Sequence, residues 1–194
     1  MIILEGLLFV LIGYLFGSFQ SSYILVKLKK GRDIRNDGTQ NAGTANTYLL
    51  YGRGMGLAVL FLDMMKTIAA ALICLLIAKR TDSLVAISLA CLGVTLGHIF
   101  PFWLSFRGGK GVACAAAFAL VLDVRIFFVS IIVAAVFAYM LRSLTYGSYT
   151  FALMLFVSTV DFGYETVIAL CVLAVSLLII LLHVKSRKVV TASL

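Results

Sequence analysis

Charge is scarce in this chain. Only 12% of its 194 residues are Asp, Glu, Lys or Arg, while 63% are hydrophobic, and the mean hydropathy is +1.13. That leaves too little polar surface to clothe a water-soluble globule. Cysteine is sparse and scattered. Cys74, Cys91, Cys114 and Cys171 all lie inside apolar stretches with no Cys-x-x-Cys spacing. Neither a disulfide framework nor a zinc ribbon is signalled, and the thiols read as small buried hydrophobes. Histidine is limited to His98 and His183. Two histidines with no nearby carboxylate are too thin for a metal site, so neither a metal nor a cofactor is expected. Period-2 alternation is missing, which argues against a transmembrane barrel. The N-terminus shows no basic n-region and no cleavage motif, so the first apolar segment is expected to stay as a span. No internal repeat is evident, and the inverted repeats of many transporters have no counterpart here.

What is present is a series of apolar runs. Seven can be counted, at roughly 2–26, 54–78, 84–106, 111–122, 126–141, 147–160 and 166–184. Runs of about 18 or more apolar residues are long enough to cross a bilayer. The fourth and fifth are short, and are expected to tilt, break, re-enter or sit where the bilayer is thinned. The expectation is an all-α, polytopic integral membrane protein with about seven transmembrane helices, forming one membrane-embedded domain over residues 1–194.

The net charge of +8 does not signal nucleic acid. The cations cluster at span ends, as topology requires. Lys27, Lys29, Lys30, Arg32, Arg35 and Arg53 flank the first loop; Arg107, Lys110, Arg142, Lys185, Arg187 and Lys188 fall on the same face. Lys79, Arg80 and Arg125 fall on the other, with Glu5, Asp82, Asp123, Asp161 and Glu165. The positive-inside rule makes the first face cytoplasmic, which puts the N-terminus outside and the C-terminus inside.

The unusual polar residues share that cytoplasmic face. Gly97-His98-Ile99-Phe100-Pro101 leads into Arg107-Gly108-Gly109-Lys110-Gly111. A titratable ring, two cations and three glycines at the end of a span are costly unless they serve something anionic. The glycines let backbone approach a ligand, and their N–H groups can converge on a phosphate. Lys110 adds a point charge. This is not a P-loop, since that motif's first glycine and closing Ser/Thr are missing. Flanking Arg107 and Lys110 could also be plain headgroup anchors, but anchoring leaves the glycines unexplained. His98 suits orientation of a hydroxyl or general-base work; a packing histidine is the alternative. His183, near the cationic tail, is open between the same two readings.

The loop from Asp33 to Thr47 contains Gly38, Thr39, Asn41, Gly43 and Asn46. Its glycines permit tight turns, and its short polar side chains could bind hydroxyls or phosphate oxygens. A solvated loop of Asx turns is the plainer reading, although span connections are usually shorter. Asp63 and Lys66 stand three apart on one helix face, about 14 Å past Gly54 at ~1.5 Å per residue. They form either a self-neutralising structural pair or a polar wall that organises the loop. Ser148, with Thr145 and Gly147, is a candidate site residue or an ordinary small-residue helix contact.

In this order and spacing, the motifs resemble the PlsY family of bacterial acyl-phosphate:glycerol-3-phosphate acyltransferases over nearly the whole chain. Gly17-Ser18 resembles its first motif, Asp33-Ile34-Arg35 and Gly38–Gly43 its polar loop, and Asp63–Lys66 its DxxK. Gly97-His98 with Pro101 resembles its GHxxP, and Arg107–Val112 its (K/R)GGKGV. The resemblance implies transfer of an acyl chain from acyl phosphate to the 1-hydroxyl of glycerol 3-phosphate. The product is lysophosphatidic acid, formed at the cytoplasmic face of a bacterial inner membrane among lipids. It implies His98, Lys110 and Ser148 as catalytic. It implies Gly38, Thr39, Asn41, Gly43, Asn46, Arg107, Gly108, Gly109 and His183 as substrate-binding, with Ser18, Asp63 and Lys66 in support.

The chain departs from that pattern in places. Gln20 replaces a proline, Thr39-Gln40 replaces Ser-Gly, and Ser186 replaces a tail asparagine. Leu49 stands where a phosphate-binding arginine usually follows, and loss of a bidentate cation is not a mild change. Arg53 or Lys185 could supply the missing charge. Alternatively the chain uses another phosphorylated acceptor, or keeps the scaffold as a non-catalytic or transporter-like protein. A CDP-alcohol phosphotransferase would need a multi-aspartate metal signature that the chain lacks. The sequence leaves acyl-chain length and oligomeric state open.

Overall fold

The computed structural model describes residues 2–192, with side chains through residue 185; Ser186, Arg187 and Lys188 thus lie outside the residues whose side chains are described. Every regular element among the described residues is helical. The chain divides into two compact units, Met1–Phe118 and Ala119–Leu194.

The first unit begins with α1 (Ile2–Ser18), breaks at Phe19-Gln20, and resumes as α2 (Ser21–Lys30). A short helix, α3 (Thr44–Tyr51), precedes α4 (Arg53–Ile77) and α5 (Ser83–Ile99). A 3-10 turn (Phe102–Leu104) and the glycine turn then lead to α6 (Val112–Leu122), in which the unit boundary falls. The sequence expectation ran one apolar segment through residues 2–26. The helix is instead interrupted, because Gly17-Ser18-Phe19-Gln20 offers two small residues and a side chain able to replace backbone partners.

The α1/α5 pair is the most extensive packing in this unit. Its cause is reciprocal glycine. A Cβ on Gly13 or Gly17 would overlap the carbonyls of Ala90 and Val94. A Cβ on Gly93 or Gly97 would overlap the carbonyls of Val10 and Tyr14. Both helices therefore carry a small-xxx-small stripe that brings backbone against backbone, the main way apolar helices associate without a hydrophobic driving force. Asp82 caps α5 through Leu84 N (2.8 Å) and Val85 N (3.3 Å), and α4 is long enough at about 37 Å to traverse a ~30 Å hydrocarbon core.

The second unit contains α7 (Val124–Met140), α8 (Leu144–Asp161) and α9 (Thr166–Ala192). Asp123 caps α7 and is clamped by Arg125 at 2.6 Å and by the Tyr164 hydroxyl at 2.8 Å. Gly147 of α8 lies against Ala134 and Ala138 of α7, another close helix approach.

Among the described residues, four helical runs are long and apolar enough to cross a membrane: Ile2–Lys30, Arg53–Ile77, Ser83–Leu104 and Thr166–Lys185. Exposed Leu, Ile, Val and Phe side chains cover the helices, including Leu4, Leu76, Phe61 and Leu181. Such a surface suits lipid, not water.

Candidate active site

The site of the first unit is built around the α1–α2 break. A helix C-terminus leaves carbonyls without partners and carries partial negative charge. Lys66 of α4 answers both needs. Its ammonium donates to Phe19 O at 2.7 Å and Gly17 O at 3.2 Å. Asp63, one turn earlier, pairs with Lys66 at 2.9 Å and accepts from Ser21 Oγ at 2.9 Å, beside the N-terminus of α2. The cation thus meets the negative helix end and the carboxylate the positive one. Burial of such a pair costs several kcal/mol per ion unless hydrogen bonds compensate; here they engage Lys66 and the Asp63 Oδ1, while Asp63 Oδ2 is buried with no hydrogen-bond partner among the described residues. Asp63 and Lys66 form a neutralising pair that also organises the break.

Lys66 reaches further, to His98 Nδ1 at 2.9 Å. An ammonium has only protons to offer, so Nδ1 accepts and the ring proton sits on Nε2. That Nε2 faces the Cα of Gly109, where a Cβ would overlap it. His98 is only 3% exposed. His98 was open between hydroxyl orientation, general-base work and packing; in the structure both ring nitrogens face protein, and the ring is a wall beneath the glycine turn.

The glycine turn is pinned from below. Gly108 N donates to Ile99 O and Gly109 N to His98 O, both at 3.0 Å. These N–H groups were expected to converge on a phosphate. They are spent on the orphan carbonyls at the end of α5 instead. What the turn presents is Lys110, half-buried just before the first turn of α6, with exposed Arg107 three residues earlier. Among the described residues no hydrogen bond or ion pair engages the Lys110 ammonium. Burial pushes its pKa below the ordinary lysine value.

The polar loop closes over its own asparagine. Asn46 is fully buried. Its Oδ1 accepts from Thr39 N at 2.8 Å, and its Nδ2 donates to Asp37 O (3.0 Å), Asn41 O (3.1 Å) and Ile34 O (3.2 Å). Asn46 is therefore a brace; its amide is committed to the loop and not to a substrate. Gly38 has φ +60, and a Cβ there would overlap Asn46 Oδ1. Thr39 is exposed and Asn41 half-buried, while Gly43 caps α3. Ser22 and Thr47 share a 2.7 Å hydrogen bond that ties α2 to α3. Ser18 spends its hydroxyl on Tyr14 O at 2.8 Å.

Loop and turn meet in two places. Ala42 O lies beside the Cα of Gly109. Arg35, clamped to Asp33 at 2.6 Å and lying 5.2 Å over the Tyr23 ring, donates to Leu104 O at 2.8 Å and Arg107 O at 3.4 Å. The guanidinium holds the Asp33 carboxyl below its usual pKa. The unit thus brings together Thr39, Asn41, Gly43, His98, Gly109, Lys66 and Asp63, with Lys110 on the joined turn.

Ser148 and His183 belong to the second unit. Ser148 Oγ donates to Leu144 O at 2.9 Å within α8. His183 Nδ1 donates to Ile179 O at 2.8 Å, and its ring meets Tyr149 edge-on at 5.9 Å. Leu49, at the position of the missing arginine, is 67% exposed. Arg35 and Gln20 were not anticipated as site residues. A hint existed in both: a polar residue inside an apolar run, and an arginine two residues after an acid in a turn.

A family model described as glycerol-3-phosphate acyltransferase matches residues 7–192. A glycerol-3-phosphate acyltransferase of Mycoplasmopsis agalactiae is 35% identical over 166 residues, covering 80% of this chain and 69% of its own length. That of Shouchella clausii is 46% identical over 104 residues, 54% of this chain and 50% of the relative. The crystal structure of PlsY (YgiH), an integral membrane glycerol 3-phosphate acyltransferase in its glycerol 3-phosphate form, superposes with a TM-score of 0.86. It has 27% identity and covers 97% of this chain and 92% of that one. The match spans both units, and it places the chain in the glycerol-3-phosphate acyltransferase family.

Proposed function

We propose that this protein transfers an acyl chain from acyl phosphate to the 1-hydroxyl of glycerol 3-phosphate, at the cytoplasmic face of a bacterial inner membrane. The observation that carries the reading is the Lys110 ammonium: partly desolvated, held without a carboxylate, and mounted on a turn locked to α5. Family membership supplies the acceptor. Acyl phosphate is a mixed anhydride, so no covalent enzyme intermediate is needed. The hydroxyl oxygen attacks the acyl carbon, the C–O bond to phosphate breaks, and the hydroxyl proton leaves to phosphate or water. Lys110 stabilises phosphate charge in a partly dry setting, where preorganised charge has its largest effect. Thr39 and Asn41 offer short donors for acceptor oxygens, and Arg107 adds a second cation. His98, Asp63, Lys66 and Asn46 position these groups, and the rate comes mainly from holding two phosphates in register. Seven apolar segments with an outside N-terminus and a cytoplasmic C-terminus complete the reading. The family resemblance assigns Ser148 and His183 to the same reaction, and alanine at either tests that directly.

The decisive assay incubates purified protein with acyl phosphate, with and without glycerol 3-phosphate. Acceptor-dependent release of inorganic phosphate, matched by lysophosphatidic acid, is expected. Phosphate release that ignores the acceptor would refute the reading.

A further inference from the structure

The α1–α2 break contains a side chain that the proposed chemistry has not yet used. Gln20 is fully buried, and its Nε2 donates to His98 O at 2.9 Å, with a longer contact to Gly17 O at 3.4 Å. Both partners are carbonyls, so the amide nitrogen must face them; Oε1 has no protein partner. The same His98 carbonyl accepts from Gly109 N at 3.0 Å. A carbonyl has two lone pairs, and here both are taken: one by the glycine turn, the other by Gln20. His98 is thus held twice, at its ring by Lys66 and at its backbone by Gln20. The glycine turn rests on both holds, its Gly109 N–H on the carbonyl and its Gly109 Cα against the ring.

We propose that Gln20 is a positioning residue for acyl transfer: its buried amide fixes the His98 carbonyl, and through it the docking of the Gly108–Lys110 turn. The kinetic part of this rests on the acyltransferase reading above; the geometric part does not. Water cannot take over the donor at a fully buried position, so its loss leaves the carbonyl short of one partner. The turn then shifts toward whatever restores balance, and Lys110 moves with it.

Gln20→Met keeps the length and removes the donor. Two readouts separate positioning from mere stability. The first is residue-resolved amine labelling of the folded protein, comparing Lys110 with the exposed Lys29. In the wild type Lys110 should label slowly, and in Gln20→Met several-fold faster. The second is the kinetic split. A displaced turn raises the KM for glycerol 3-phosphate about tenfold, the scale of one lost buried hydrogen bond. A purely structural defect lowers the active fraction, and so kcat, with KM unchanged. Gln20→Asn, which retains the amide but draws it back one methylene, should show smaller changes of the same sign, and serves if Gln20→Met fails to accumulate. Unchanged Lys110 labelling in both variants overturns the proposal, as does a changed kcat at constant KM. Faster Lys110 labelling in a protein that never acylates the acceptor would sustain the positioning claim and sink the reaction assigned to the site.

Discussion

At the scale of single residues, Lys110 decides most. It is half-buried, and burial alone displaces its pKa downward from the ordinary 10.5. The sign is then determined. A folded pKa below the unfolded one means that the folded protein releases this proton first. On the alkaline side, in the window just below 10.5, the ammonium is lost and its desolvation cost with it. Phosphate binding should therefore weaken as pH rises through that window, while the contribution of this group to folding stability improves. The two trends have opposite signs, so general alkaline unfolding cannot imitate the pair. Lys110→Arg keeps its charge throughout and should flatten the alkaline rise in acceptor KM. Lys110→Ala should cut kcat/KM about a hundredfold or more, the scale seen for removal of a preorganised charge or donor. A Lys110→Arg profile identical to wild type would show that another group sets the alkaline limb. This residue was legible before any coordinates, because a lysine between glycines in a greasy chain needs a reason. The fate of the neighbouring N–H groups was not. Which carbonyl a donor finds depends on where α5 ends in space, and the Asn46 amide likewise finds partners set by the path of its own loop.

At the scale of elements, apolar length located the helices well, since continuous hydrophobicity over a bilayer thickness leaves few other structures. It failed at the α1–α2 break and at α3. The break is stabilised by Lys66 from α4 and by Gln20, which lies in the break and reaches the end of α5, and a running hydropathy average does not register such partners. α3 is a short polar helix within a loop whose buried face is only Asn46 and Thr47. The paired stripes Gly13/Gly17 and Gly93/Gly97 were visible as four-residue spacings, but their meaning requires knowing that α1 faces α5. Their energetic weight can be measured with one added methyl. Gly93→Ala would drive its Cβ into the Val10 carbonyl, a backbone atom that cannot yield without moving the helix. Overpacking of this kind costs about 1–3 kcal/mol. Gly54→Ala meets nothing within 4 Å and should be neutral or slightly stabilising, since alanine is the better helix former. Thermal unfolding of both variants in detergent should show a lowered midpoint for the first only. Equal midpoints would mean that the α1/α5 approach is looser than its geometry says.

For the whole molecule the question is which way the chain faces. Twelve of its sixteen basic residues were assigned to one face from the sequence, eight of them between residues 27 and 110. Within the first unit, α4 separates the polar loop at its N-terminal end from the 78–82 connection at the other, about 37 Å away. The loop end carries Lys27, Lys29, Lys30, Arg32, Arg35 and Arg53, whereas the far connection has Lys79 and Arg80 against Glu5 and Asp82. Glu5 accepts from the backbone N–H groups of Lys79, Arg80 and Thr81, so the acid at the far end is part of its architecture. A cationic excess held back at the cytoplasmic side is what membrane insertion favours, and a phosphorylated acceptor made in the cytoplasm would then reach Lys110 and the polar loop directly. The native cysteines are all buried, so introduced thiols can be labelled against a silent background. Ala45, exposed on α3, and Ser83, exposed at the start of α5, flank α4 at opposite ends. A membrane-impermeant maleimide applied to intact spheroplasts should modify Ser83→Cys and spare Ala45→Cys until the membrane is permeabilised. The reverse pattern would put Lys110 and the polar loop outside the cell, where no cytoplasmic acyl phosphate could reach them, and the proposed reaction could not run.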